Sequence, residues 1–290
     1  MCPQPSEYTN RVPLPAPITS RTNARVKALR AAFSGDAARP GDLLGIEGEH
    51  LLSEAHRSNL PIDTIFLREG NEPVLDRPSL AGLTANHTVV LSRDVFASTV
   101  DTASPQGIAA TLLVPPIAPR DLTQPFIHLV LESLQDPGNL GTLIRSAEAF
   151  GIAQIFLTPD CVNPWNPKTV RASAGSVFRM PIVRDKLSSI ATAFSTAQIK
   201  LFAAVAQSTD ATPAMDVRLI APCALMIGNE GAGLSAEALA LANTRIHIPC
   251  AVESLNAAIA GSLLMYEALR QNTLAGSLYP LSSVLDPLSS

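Results

Sequence analysis

From Pro125 onward the chain alternates short apolar runs with stretches of helical spacing, and this alternation constrains the fold more than any other feature. Residues 126–131 (FIHLVL) are almost continuously apolar, as a strand buried on both faces requires. Residues 139–150 then set Leu140, Leu143, Ile144, Ala147 and Phe150 at helical spacing, and Gly151 stops the helix. The same reading predicts strands at 155–158, 201–205, 223–227 and 245–248, and helices at 186–198 and 254–271. Strands alternating with helices imply an α/β parallel sheet covered on both faces.

The first half is a separate, smaller α/β pattern. A capped basic helix is predicted over 18–33, a helix over 49–57, and strands at 43–46, 62–67, 88–91 and 106–114. The 290 residues suit about two domains at roughly 150 residues each. The division predicted is 18–113, a proline-rich linker at 114–124, and 125–275. Residues 1–17, with Pro3, Pro5, Pro13, Pro15 and Pro17, are expected to be disordered, and 276–290 to fray.

Composition narrows the class. Hydrophobic residues make up 47% and charged residues 16%, the reverse of a disordered chain. No apolar run approaches the roughly 18 residues of a membrane helix, and the N-terminus has no apolar core of a secretory signal. Cys2, Cys161, Cys223 and Cys250 are far apart, and His50 and His56 fall on different helix faces, so neither a zinc site nor a disulfide framework is expected. A cytoplasmic protein with reduced thiols and no metal is the expectation.

The net charge is −4, yet two segments are basic. Arg11, Arg21, Arg25, Lys27 and Arg30 face only Glu7 in residues 1–35. Lys168, Arg171, Arg179, Arg184 and Lys186 face only Asp185 in residues 165–186. Such patches either contact phosphates or are solvated surface.

Four segments carry candidate chemistry. In QDPGNLGTLIRSAEAFG (135–151), Asn139 is a candidate helix cap, and Gly141 lies one turn before Arg145, leaving room beneath the guanidinium; a capped helix with a surface arginine is the plainer alternative. NPKTVRASAGSVFRMPI (166–182) sets Lys168 and Arg171 beside the small run 172–176, which admits a close approach or forms a flexible basic loop. LMIGNEGAGLS (225–235) is an apolar strand entering a glycine-rich loop with Asn229, Glu230 and Gly231, at the strand end where open α/β sheets bind ligands. IHIPCAVESLNAAIAGSLLMYEALRQ (246–271) opens a helix after Ser254, Leu255 and Asn256, with a small-residue face at 257–262 suited to close packing on another element or subunit; Leu263, Tyr266 and Leu269 read as core. No dinucleotide fingerprint, P-loop or GxSxG is present. Glu132, Asp136, Glu148 and Asp160 read as solvated carboxylates.

Taken together in this order, D-P-G-N-x-G-x-x-x-R, K-x-x-R-x-S-x-G, G-N-E-G-x-G-L and I-P…S-L-N, the chain resembles the SpoU-type (TrmH-like) RNA 2′-O-ribose methyltransferases of the SPOUT superfamily over about 125–272. The resemblance implies a parallel-sheet domain with a deep trefoil knot, preceded by a ribosomal-protein-like RNA-binding domain. It implies S-adenosylmethionine as cofactor, held by Gly228, Asn229, Gly231, Ile248, Pro249, Leu255 and Ala257. Arg145, Asn139, Glu230, Ser254 and Asn256 match the family's catalytic positions. Arg21, Arg25, Lys27, Lys168 and Arg171 are candidate contacts to RNA, with rRNA favoured over tRNA. A homodimer is implied, with the active site near its interface. Only residues 250–253 separate Pro249 from Ser254, a shorter connection than the family usually has. A reading of a different class is an RNA-binding module of the same fold with weak or lost cofactor binding.

Overall fold

The computed structural model describes residues 14–102 and 104–276. The expectations for 1–13 and 277–290, and Cys2, lie outside the described residues.

A small lobe comes first. It runs α1 (Ala24–Ala32), β1 (Leu43–Glu47), α2 (Glu49–Arg57), β2 (Ile62–Arg68), β3 (His87–Leu91), α3 (Arg93–Ala97) and β4 (Ile108–Leu113). The sheet order is β1-β4-β2-β3, with β4 antiparallel to both its neighbours and β2 parallel to β3. Val26 and Leu29 of α1, with Phe33 at its C-cap, pack on Phe66, Leu91 and Phe96 across one face. Leu51, Leu52 and Ala55 of α2 cover the other. The basic helix is shorter than the predicted 18–33. Ile18 is taken by the edge of β3, through Ile18 N–H to Val90 O and Ser92 N–H to Ile18 O, so the chain cannot coil there. Asn23 then caps α1 by accepting from the Arg25 amide, and Arg21 stands on the turn before the helix.

The large lobe holds β5 (Ile127–Leu131), α4 (Pro137–Ala149), β6 (Gln154–Leu157), α5 (Pro167–Ala172), β7 (Ile182–Arg184), α6 (Leu187–Thr196), β8 (Lys200–Ala204), β9 (Thr212–Pro213), β10 (Cys223–Ile227), α7 (Ala236–Leu241), β11 (Thr244–His247) and α8 (Ala257–Leu274). All its strands are parallel, in the order β7-β6-β5-β10-β8-β11-β9. Successive residues of β5 face opposite sides. Ile127, Leu129 and Leu131 join the layer with α4 and α8, while Val130 joins the layer with α6 and α7. Burial of each such side chain stabilises by about 1.5–3 kcal/mol, so the sheet is held from both faces. His128, fully buried beside Val130, stacks on Phe194 with ring centroids 5.7 Å apart.

The apolar layer under α4 continues into the small lobe through α2, so the two lobes share one hydrophobic cluster. Of the two partners expected for the small-residue face of α8, another element of the chain takes it, while a second expectation about α8 is reversed. Its small-residue face is used inside the chain: a Cβ on Gly261 would stand 2.4 Å from Leu143 of α4, and Ser262 bonds Ser146. Leu263 and Tyr266, read as core, are exposed because they lie opposite that face, in line with exposed Ile259.

Candidate active site

Parallel strands send their connections out at the same end. The loop 132–136 after β5, the loop 228–235 after β10 and the loop 248–256 after β11 therefore converge at the carboxyl edge of the sheet. Between the last two, and against the end of β8, lies a cavity of about 440 Å³, within the size range of small-molecule sites.

The loop after β10 is held by its own residues. Asn229 and Gly233 exchange backbone hydrogen bonds of 3.0 Å each. The Asn229 side chain accepts from the Gly231 and Ala232 amides and donates 2.8 Å to Ser133 O, tying this loop to the one after β5. At Gly228 the returning chain crosses so closely that a Cβ would stand 2.3 Å from the Gly233 carbonyl carbon. Only glycine permits that crossing.

A line of side chains joins the three loops. The Asn256 amide donates to Asn139 Oδ1 at 3.0 Å, and Asn139 Nδ2 donates to Glu230 Oε1 at 3.0 Å. Glu230 also accepts from the Gln135 and Asp136 amides. Burial opposes its ionisation, but these donors outweigh it and hold its pKa below the usual glutamate value. Asn256 caps α8 by accepting from the Ala258 and Ile259 amides. Asn139 is not the cap of α4. Pro137 starts that helix and Asp136 caps it, accepting from Asn139 N at 2.7 Å, which leaves the Asn139 amide for Glu230 and Asn256.

Arg145 is exposed and makes no hydrogen bond or ion pair with a described residue. The space at Gly141 is not beneath its guanidinium. A Cβ there would stand 2.5 Å from Ala172 and 2.6 Å from Thr169 O, because α4 crosses α5 at that point.

Of the residues expected to hold a cofactor, Gly228, Asn229, Gly231, Ile248, Leu255 and Ala257 line the cavity, and Pro249 does not. Of those expected to act on substrate, Glu230 and Ser254 line it, Asn139 and Asn256 adjoin it through Glu230, and Arg145 lies outside its wall. Sequence reading missed Gln207 and the end of β8, which complete the wall, and His247, whose ring nitrogens are buried without a hydrogen-bond partner. Position at the carboxyl end of a predicted strand was the available signal for both. Arg21, Arg25, Lys27 and Lys168 are exposed, whereas Arg171 is paired with Asp101. The segment holding Lys168 and Arg171 is the short helix α5, not a loop.

The sequence pattern of the SpoU rRNA Methylase family matches residues 126–266. A curated relative from Synechocystis, an uncharacterized tRNA/rRNA methyltransferase, is 37% identical over 90% of this chain and 96% of its own length. The chain belongs to the SpoU methylase family. The 23S rRNA (guanosine(2553)-2′-O)-methyltransferase of Bacillus subtilis is 31% identical over 86% of this chain and 97% of its own. Among solved structures, an RNA 2′-O ribose methyltransferase superposes with a TM-score of 0.75 at 28% identity, over 89% of this chain and 100% of that one. An rRNA methyltransferase of Sinorhizobium meliloti with bound AdoMet gives 0.68 at 28% identity, over 88% and 97%.

Proposed function

We propose that this protein transfers a methyl group from S-adenosylmethionine to a ribose 2′-hydroxyl of RNA, in rRNA or tRNA. The observation that carries the reading is the cavity at the carboxyl edge of the sheet, whose rim is joined by Asn256, Asn139 and Glu230. The residues there fit the cofactor. Gly228 and its neighbours bring backbone groups to the cavity without side chains in the way, and Ile227, Leu234, Ile248 and Leu255 add apolar wall. Gly228, Asn229, Gly231, Ile248, Leu255 and Ala257 would hold it. When bound, it supplies a methyl group already activated by the sulfonium.

The protein's part is to place the hydroxyl and stabilise the alkoxide that develops. A guanidinium keeps its proton in a protein site, so Arg145 acts as a fixed positive charge rather than as a general base. Ionised Glu230 accepts only, which turns the Asn139 amide towards it and fixes the Asn139 carbonyl on Asn256. Ser254 presents a hydroxyl at the cavity rim.

Two copies complete the site in this reading. Ile259, Leu263 and Tyr266 form an exposed apolar stripe along α8, beside the helix that carries Arg145, and an isologous dimer would cover it. A trefoil knot also belongs to the reading. Its support is the path of the chain, which leaves β10, reaches β11 beyond β8, and returns past the loop 228–234 to pack α8 on β10 and α4. Arg21, Arg25 and Lys27 on the small lobe and Lys168 on the large one are the phosphate contacts.

Titration calorimetry with S-adenosylmethionine, followed by transfer of labelled methyl to unmethylated 23S rRNA transcripts, tests the proposal. Binding with transfer is expected. RNA binding without cofactor binding would make the protein an RNA-binding module instead.

A further inference from the structure

The segment read from sequence as admitting a close approach or forming a basic loop has a clear regularity in the fold. Every fourth residue from Asn163 to Arg179 meets the small lobe. Asn163 Nδ2 donates 2.6 Å to Ala37 O and 3.3 Å to Gly35 O, just beyond α1. Pro167 packs on Gly35, its Cδ 3.5 Å from where a Cβ there would stand. Arg171 pairs with Asp101 at 3.2 Å. Gly175, at φ +92°, lets the backbone pass so close to α2 that a Cβ would stand 2.6 Å from Glu54 Cβ. Arg179 Nη1 reaches Glu54 at 3.0 Å and Ser58 Oγ at 2.8 Å, while its Nε and Nη2 reach Glu148 at 2.6 and 3.0 Å.

We propose that residues 163–179 form the joint that fixes the small lobe relative to the catalytic sheet, and that Arg179 is a positioning residue for RNA. The inference rests on the RNA-methylation reading above. Glu54 lies on α2, whereas Glu148 lies on α4, the helix that carries Asn139 and Arg145. One guanidinium therefore ties the lobe bearing Arg25 and Lys27 to the helix bearing the catalytic positions. Its side chain is only 23% exposed, and four of its five N–H donors are taken by protein groups, so it has no free two-donor edge for a phosphate. Burial disfavours its charge, but Glu148 and Glu54 more than compensate and hold its pKa above the ordinary arginine value. An RNA gripped by the small lobe is then presented to the cavity at one distance and angle. A loosened joint leaves only a fraction of molecules competent, and apparent affinity falls by that fraction.

Arg179→Ala, Arg179→Lys and Glu54→Gln test this, with unmethylated 23S rRNA transcripts as the probe and single-turnover methylation read against RNA concentration. For Arg179→Ala the half-saturating RNA concentration is expected to rise about tenfold. The rate at saturating RNA and the affinity for S-adenosylmethionine should stay within about twofold, because the cavity is untouched. Arg179→Lys should recover part of the loss. Glu54→Gln should also weaken RNA use, although it removes a negative charge. Tighter RNA binding by Glu54→Gln, or a salt slope reduced by about one in Arg179→Ala, would make Arg179 a phosphate ligand and overturn the proposal. Amide hydrogen exchange reads the joint without any activity. Faster exchange confined to α2 and 163–179 in Arg179→Ala is expected, and unchanged exchange there contradicts the proposal. Should the unaltered protein transfer no methyl group, the functional reading fails while the exchange result still decides whether the joint exists.

Discussion

The cavity loops and the joint at 163–179 both draw on asparagine, glycine and small side chains. They differ in where the polar groups end. In the joint Asn163, Arg171 and Arg179 each reach a partner in the small lobe, and Arg179 also holds Glu148 of α4, although Arg171 leaves its buried Nη1 without a partner among the described residues. At the cavity the loops are held by Asn229, Asn139 and Glu230, but Arg145 has no partner among the described residues and His247 keeps two buried nitrogens unmatched. Polar groups satisfied by the protein set positions, and those left over are available to substrate. Each region can be perturbed on its own.

The largest effect is expected at the unpartnered arginine. Arg145→Ala removes the charge at the developing alkoxide, which costs about 2.7–4 kcal/mol, or roughly 10²–10³ in single-turnover rate. Its affinity for S-adenosylmethionine should not move, as Arg145 lies outside the cavity wall. A variant with normal rate and weak RNA binding would make Arg145 a docking residue and erase the contrast with the joint.

Gly141→Ala probes the opposite case, a site with no spare room. Its Cβ would meet Ala172 at 2.5 Å and the backbone of Thr169 and Ser173 at 2.6 and 2.9 Å. Backbone cannot step aside, so a loss of about 3 kcal/mol in urea denaturation is expected, at the upper end for overpacking. A stable variant with altered RNA affinity would return Gly141 to the substrate side.

His128 is the exception to that rule, since it is unpartnered among the described residues but sealed from substrate. Both ring nitrogens lack a partner, and burial pushes its pKa down to about 4. An unfolded histidine takes up its proton near pH 6.5, so below that pH the unfolded state binds more protons and stability falls. The loss should reach about 2 kcal/mol by pH 5 and continue to about pH 4. His128→Phe should flatten this slope in denaturation midpoints measured at pH 7.5 and 5. An equal slope in both proteins would assign the titration elsewhere.

The smallest effect is expected on the exposed helix. Replacing Arg25 and Lys27 with alanine should reduce the salt dependence of RNA binding by about one unit of log–log slope for each phosphate no longer neutralised, with the single-turnover rate at saturating RNA unchanged. An unchanged slope would assign these side chains to solvent.

Much of this was legible in the sequence, and the exceptions share a cause. Strands β5, β6, β8 and β10 were readable because they are mainly apolar runs, and the loop after β10 because glycine and asparagine follow such a run directly. Elements as short as α3, β7, β9 and α7 leave too few residues to show a period. The small run 172–176 reads alike whether it faces a ligand, α4 or α2, so the joint was invisible. Glu132, Asp136, Glu148 and Asp160 read as solvated carboxylates, and all four are fixtures. Glu132 holds Ser235, Asp136 caps α4, Glu148 holds Arg179, and hydrogen bonds from Ser133 and Thr158 keep the Asp160 carboxyl below the usual range. Their partners lie 2–103 residues away, and the sequence alone does not announce such pairs.

Ribose methylation assisted by Arg145 is tested most directly by finding where the methyl group goes. Transcripts treated with the protein and labelled S-adenosylmethionine, digested to nucleosides and analysed by mass spectrometry, should carry the label on the ribose 2′-oxygen of one nucleotide, and Arg145→Ala protein should leave them almost unlabelled. A methyl group on a base, or equal labelling by the Arg145→Ala protein, would contradict the account.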